Sequence, residues 1–235
     1  MDRNRTLIAR SPFGRFGTAA IVAVPTLFLG YFFVYPVVAI TARGLTPEGV
    51  FTPSVFIDVV SSASLQGVAA FTLWQAVLST LLTLLMGLPA AWVFARFSFP
   101  GRRLLRAATL VPFVLPTLVV GTAFLTLVGP KGVSGVDLTG TLSIILIAHV
   151  FYNYAIVVRG VGAYWERIDP ALEDAARSLG ASRWRTFTTV TLPLLRPAIA
   201  STSALVFLFS FTSFGVVLLL GDISHSTIEV EIWNG

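Results

Sequence analysis

The chain has 235 residues, 55% of them hydrophobic and only 11% charged, with a mean hydropathy of +0.85. Soluble domains carry about 25% charged residues, so this composition excludes an ordinary soluble enzyme or binding module and predicts an integral membrane protein. The net charge of +5 then concerns where basic residues lie rather than affinity for nucleic acid; the lack of cysteine excludes disulfides and thiolate chemistry, and two histidines, His149 and His225, are too few for a histidine-rich metal site.

Residues 1–15 hold Arg3, Arg5, Arg10 and Arg15 and read as a cytoplasmic N-terminal tail. Residues 16–42 carry no charge. Because about 20 residues at 1.5 Å rise cross the hydrocarbon core, they predict a first transmembrane helix, with Pro25 and Pro36 as bend points. This run is longer than the roughly 7 to 15 apolar residues of a cleaved leader, so it is read as a retained span. Residues 43–64 form a turn-rich loop, and 65–95 a second span. In it Ser79, Thr83 and Gly87 recur every four residues, a small-residue seam for close helix contact, with lipid-facing filler as the open alternative.

Residues 96–106 are a short basic loop, followed by a third span over 107–128 whose Pro112 and Pro116 mark an irregular stretch. The glycine-rich loop 129–140 contains Lys131, but the G-x4-G-K-[ST] spacing of a phosphate loop occurs nowhere, so no ATP site is expected on this chain. A fourth span covers 141–158 and a fifth 197–220. Polar groups at membrane depth face a bundle interior or an aqueous path. Tyr152, Asn153, Ser210, Thr212 and Ser213 are therefore candidate translocation-path residues, with helix–helix bonding open for each; His149 is assigned a structural role. No H-E-x-x-H, no G-x-S-x-G and no clustered intramembrane carboxylates are present, so neither catalytic nor metal-ligating residues are assigned. With the N-terminus inside, the three inner segments hold fourteen of the sixteen Lys and Arg residues, a strong positive-inside bias.

The stretch Asp169 to Pro197, DPALEDAARSLGASRWRTFTTVTLPLLRP, is the one long charge-dense segment between apolar runs. Asp169 suits an N-cap and Pro170 the first helical position, with Glu173 near the positive end of the helix dipole. Leu172, Ala175, Ala176 and Leu179 fall on one face, and Gly180 follows as a left-handed C-terminal cap. Ser182 caps a second short helix carrying Arg183, Trp184, Arg185 and Phe187, which Leu192-Pro193 ends before the fifth span.

The spacing Asp174-Ala175-Ala176, three residues, Gly180, nine residues, Val190-Thr191-Leu192-Pro193 resembles the cytoplasmic E-A-A-x3-G-x9-I-x-L-P loop of ABC importer permeases, with Asp for Glu at 174 and Val for Ile at 190. The runs F-Y-N-Y-A-I-V-V-R-G, F-T-S-F-G-V-V-L-L-L-G and T-I-E-V-E-I-W resemble the iron(III)/thiamine branch, in particular the N-terminal half of a fused permease.

The resemblance implies an all-α bundle of about five transmembrane helices over 16–235, of the type I importer permease kind, lacking that domain's sixth helix and so looking truncated. It implies that the loop 159–196 docks a separate ATPase subunit through Leu172, Glu173, Asp174, Ala175, Ala176, Leu179, Gly180, Arg183, Leu192 and Pro193. The expected partners are that ATPase, a second permease half or identical permease, a periplasmic or lipid-anchored substrate-binding protein, and membrane lipid. ATP is used by the partner, no cofactor binds this chain, and the expected location is a bacterial or archaeal inner or plasma membrane. The expected substrate is ferric iron, with thiamine, polyamine or another small solute as alternatives. A different class of reading remains: A-A-R-S-L-G-A-S also looks like a DNA-binding helix-turn-helix on a membrane-bound regulator. Tethering to apolar runs at both ends argues against it, and no nucleic acid partner is expected.

Overall fold

The computed structural model describes residues 15–46, 52, 54–222 and 225–234, all of its regular structure helical. Arg3, Arg5 and Arg10 of the expected tail lie outside the described residues, as do parts of the expected 43–64 loop. The chain divides into two compact units, Met1–Ser62 and Ala63–Gly235.

The first unit is dominated by one apolar helix, Ala19–Leu45, long enough to cross a membrane. It is built from α1 (Arg15–Leu29), a π turn (Gly30–Val34) and α2 (Tyr35–Leu45). Pro36 lacks the N–H that would bond the Phe32 carbonyl, and its ring crowds that carbonyl. The widened turn just before it, closed by Tyr35 N–H donating to Gly30 O, absorbs the misfit without ending the helix. A short helix, α3 (Ser54–Ser61), occupies part of the stretch expected to be loop.

In the second unit α4 (Ala63–Arg96), α8 (Leu142–Trp165) and α11 (Leu192–Phe211) form the central packing, with α5 (Arg102–Ala108), α6 (Val111–Val114), α7 (Thr117–Val128), α9 (Pro170–Ser178), α10 (Arg183–Thr186), α12 (Phe214–Leu220) and α13 (Ile228–Asn234) around them. The buried face of α4 is polar and small: Thr72, Gln75, Ser79, Thr83 and Gly87, at steps of three and four. Its leucines, Leu73, Leu81 and Leu85 among them, point outward. This inversion of the soluble pattern follows from the solvent, because lipid tails are as apolar as leucine and helices associate through close backbone approach and polar contacts. The seam of Ser79, Thr83 and Gly87 is thus helix contact, not lipid-facing filler. A Cβ placed on Gly87 would lie 2.6 Å from both Cβ and Cγ1 of Val157 on α8.

Two apolar clusters bracket a polar layer along α8. One joins Ala91, Val157, Val161, Trp165, Ile168, Leu195 and Val206; the other joins Ile144, Ile145, Ala148, Val216, Val217, Leu220 and Val230. Between them on α8 stand His149 and Asn153, both buried.

The irregular stretch expected in the third span lies at Pro116, where Arg102–Val114 and Thr117–Val128 meet at 100°, and two span boundaries are corrected. Pro116 pushes the preceding Leu115 to extended backbone (φ −68°, ψ 139°), which breaks the ladder. The fourth span does not end at 158, since α8 runs on to Trp165, and the loop expected from 159 begins only after it. Val161 and Trp165 bury themselves in the first cluster, and that packing outweighs the Arg159 charge that marks an end in sequence. Finally, Leu192-Pro193 does not end the helix after Ser182. The chain stays helical from Arg183 to Phe211, through a π turn at Phe187–Thr191. Leu192 N–H donates to Phe187 O, so Pro193 is accommodated as Pro36 is. The fifth span therefore begins before Pro197 and breaks at Thr212-Ser213, ahead of α12.

Candidate functional site

The polar loop is built as its residues dictate. Asp169 Oδ1 accepts from Ala171 N–H at 2.9 Å, capping α9, and Pro170 takes the first helical position. At the other end Gly180, at φ +87°, donates to Arg177 O at 2.9 Å while Ala181 N–H donates to Ala176 O at 3.1 Å. These two bonds are a Schellman motif, and the left-handed residue it requires is why glycine stands there. Ser182 Oγ then accepts from Arg185 N–H at 3.3 Å and starts α10.

Glu173 is the residue that fixes this assembly to the bundle. Its Oε1 accepts from Arg96 Nη2, at the end of α4, at 2.6 Å and from the Thr191 hydroxyl, in the π turn, at 2.9 Å. Arg96 Nη1 also donates to Ile168 O at 3.3 Å. One carboxylate oxygen thus ties α9 to two membrane helices. A second bracket lies beside it: Arg102 and Arg106 of α5 both donate to Glu166 Oε1, at 2.6 and 2.7 Å, just past the end of α8, and Arg102 also donates to Phe94 O.

The outer side of α9 is left free by the described fold. Leu172 is 50% exposed and Leu179 90%, with Ala175 exposed between them and Ala176 half-buried. Among the described residues the Asp174 carboxylate bonds only Arg177, on its own helix, at 3.0 Å. Arg183 is exposed, while Leu192 and Pro193 are half-buried within the helix that follows. Of the ten loop residues singled out in sequence, Glu173 faces inward as an anchor, and Leu172, Asp174, Ala175 and Leu179 face outward together.

The intramembrane candidates separate. Asn153 Nδ2 donates to Ser210 Oγ at 3.2 Å, and Gln75 Nε2 donates to Ser210 O at 2.9 Å, so α4, α8 and α11 meet at Ser210. Ser79 and His149 Nδ1 share a hydrogen bond of 2.8 Å. Asn153, Ser210 and His149 are therefore helix–helix groups. Tyr152 packs beside the second apolar cluster instead, and the Thr212 hydroxyl, exposed at the helix break, bonds Leu208 O at 2.9 Å. Sequence reasoning missed Gln75, Arg96, Thr191 and Glu166. Gln75 carried a signal, being a lone amide in an apolar span. The others carried none, because their partners lie far off in sequence.

Residues 84–234, from α4 to the end of α13, match the family model of the binding-protein-dependent transport system inner membrane component. The chain belongs to this family. Its relatives in the permease family include the sulfate transport system permease protein CysT of Escherichia coli (strain K12), 35% identical over 72% of this chain and 64% of that protein. The chain thus spans less than two thirds of that relative's length. The molybdenum transport system permease protein ModB of the same organism is 37% identical over 62% of this chain and 70% of that protein. In fold the chain resembles a crystal structure of a bacterial alginate ABC transporter in complex with alginate pentasaccharide-bound periplasmic protein, with a TM-score of 0.74 at 20% identity, covering 92% of this chain and 82% of that one.

The family is one of inner membrane transport components, and the four to five helices long and apolar enough to cross a membrane agree with membership in it. The branch is corrected: these relatives are sulfate and molybdenum permeases, not members of the iron(III)/thiamine branch, and the expectation of ferric iron gains no support from them. The DNA-binding alternative gains no support from them.

Proposed function

We propose that the chain is a membrane-spanning half of an ABC importer for a tetrahedral oxyanion, sulfate or molybdate. It works with a separate ATPase that uses the ATP, a second permease half or identical permease, and a periplasmic or lipid-anchored binding protein that delivers the anion. The N-terminus lies in the cytoplasm, consistent with the concentration of basic residues in the segments that follow even-numbered crossings.

The observation that carries the reading is the two-sidedness of α9. One side is bolted through Glu173 to Arg96 and Thr191, and the other offers Leu172, Ala175 and Leu179 to solvent. An apolar helical face on a rigid mount is the form a groove on another protein accepts. ATP-driven movement of that groove would pass through Glu173 to the ends of α4 and α11 and reorient the bundle. Asp174, outward beside the apolar face, sets the orientation of docking by charge, and Gly180 sets the exit angle of the chain. For the anion's path, the sequence relatives support the oxyanion class, and the exposed break at Thr212-Ser213 supports a lining role there, since irregular backbone at membrane depth is stable only where it is buried or lines a wet cavity. Hydroxyl donors suit an oxyanion, whereas a carboxylate would repel it.

The test is reconstitution. The detergent-solubilised chain from its native membrane should co-purify with a phosphate-loop ATPase, and Asp174→Lys should weaken that association. Proteoliposomes holding the complex and its binding protein should accumulate radiolabelled sulfate or molybdate when ATP is supplied. Absence of any ATPase, or uptake that neither anion competes, overturns the proposal.

A further inference from the structure

A cavity of about 530 Å³ opens between the last turns of α4 and α8 and the chain after the glycine turn. Its wall is apolar and aromatic, with Leu88, Pro89 and Trp92 from α4, Trp165 from α8, and Trp184 and Phe187 beyond Gly180. Three of these rings form a ladder from core to rim. Trp165 and Phe187 stack at 6.4 Å between centroids, and Phe187 meets Trp184 at 5.8 Å. Trp165 is 5% exposed and Trp184 73%. The fold therefore holds a bulky indole at the mouth of an apolar cavity.

The charges at that mouth do not cancel. Glu173 is neutralised by Arg96, and Arg177 is shared with Asp174. Arg183 also lines the cavity, is exposed, and makes no ion pair among the described residues. The 34 residues of α4 exceed the roughly 20 that cross the hydrocarbon core, so its ends reach past the core. Trp92, one turn before its last residue, would then lie in the interfacial zone, where indole rings concentrate.

An apolar wall, indoles at headgroup height and one surplus cation match an amphiphile with a negative head. We propose that this cavity holds one acidic phospholipid, its phosphate against the Arg183 guanidinium and an acyl chain along Leu88, Pro89 and Trp92. This rests on the reading that this end of the bundle is cytoplasmic and carries the ATPase. Basic pockets between membrane helices on that side take acidic headgroups, and each juxtamembrane arginine contributes about fivefold to the binding of an anionic lipid. The lipid sits directly beside the Glu173 anchor and would fill the space between the bundle and the mount of α9.

The experiment uses the full chain with its co-purified ATPase, titrated in detergent with phosphatidylglycerol or phosphatidylcholine and read by native mass spectrometry. The wild type should retain one phosphatidylglycerol per chain in preference to phosphatidylcholine. Arg183→Gln should lower that retention about fivefold and Arg183→Lys should restore most of it. Brominated phosphatidylglycerol should quench fluorescence that Trp184→Phe removes. Equal retention of the two lipids, or equal retention by wild type and Arg183→Gln, overturns the lipid site. So does protection of Trp184 from the brominated lipid by the ATPase alone, which would assign the cavity to protein. The ATPase band reports separately: its presence without lipid selectivity sinks only the lipid site, and its absence sinks the importer reading whatever the lipid count.

Discussion

Glu173→Gln isolates the anchor of α9. Glutamine keeps the shape of the side chain and one carbonyl acceptor for Arg96 Nη2 and Thr191 Oγ1, now 2.6 and 2.9 Å from Oε1, but removes the charge. Hydrogen bonds to charged groups contribute about 1.5–3 kcal/mol and neutral ones about 0.5–1.5, so the Arg96 bond alone weakens by about 1–1.5 kcal/mol. The Arg96 side chain is only 16% exposed and is left with two neutral acceptors, the glutamine carbonyl and Ile168 O at 3.3 Å, which adds several tenths for a cation without a counter-charge and brings the loss to about 2 kcal/mol. That corresponds to about a 30-fold shift toward the released loop. Hydrogen exchange of the α9 amides in the detergent-solubilised protein should accelerate by about that factor. Asp174→Asn is the control: its carboxylate is 69% exposed and pairs only within α9, so the change should stay near twofold. In the reconstituted complex Glu173→Gln should lower anion transported per ATP hydrolysed while hydrolysis continues. Unchanged α9 exchange, or purely additive effects of Glu173→Gln and Arg96→Met in a double-mutant cycle, would refute the tether.

Gly180→Val meets no steric clash but imposes the left-handed conformation at φ +87° on a β-branched residue, a local cost of about 1–3 kcal/mol. Transport should uncouple from ATP hydrolysis with membrane insertion intact, and Gly180→Asn should retain most activity; equal coupling in wild type and valine variant counts against the turn's role. Gly87→Ala forces its Cβ onto Val157, whose Cβ is fixed to α8 and cannot rotate away, so thermal stability in detergent should fall by about 1–3 kcal/mol. Val157→Gly in the same chain removes that Cβ, so the double variant should lose less than the sum of the two single losses, and a strictly additive double variant would contradict the contact. Gln75→Leu strips the donor from the buried Ser210 carbonyl near the end of α11, costing about 1–3 kcal/mol. Thermal melting of the purified chain would show it, and an unchanged midpoint would show that another donor takes over.

Much of the loop is legible in its residues alone. The Asp169 cap, the helix from Pro170, the left-handed Gly180 and the Ser182 cap are all local chemistry, decided within a few residues, and each lies where the sequence predicts it. The spans fail at their ends for the opposite reason. Arg159 and Pro193 read as boundaries because a charge and a missing N–H disfavour a buried helix locally. Trp165 packing carries α8 onward, and a widened turn absorbs Pro193. Pro116, with the same local signal, does break its helix.

The sequence by itself determined that this is a helical membrane protein, and where its polar loop turns. Composition, hydrophobic run length and cap residues act over one helix or less, so one dimension carries them. Only the tertiary structure decided that Glu173 is an inward anchor while Asp174 beside it faces out, and that Ser210 is where Gln75 and Asn153 converge. Both depend on pairings such as Arg96 with Glu173, which join residues on different helices. In a lipid solvent that rewards small and polar contacts rather than an apolar stripe, no periodicity in the sequence announces which faces will meet.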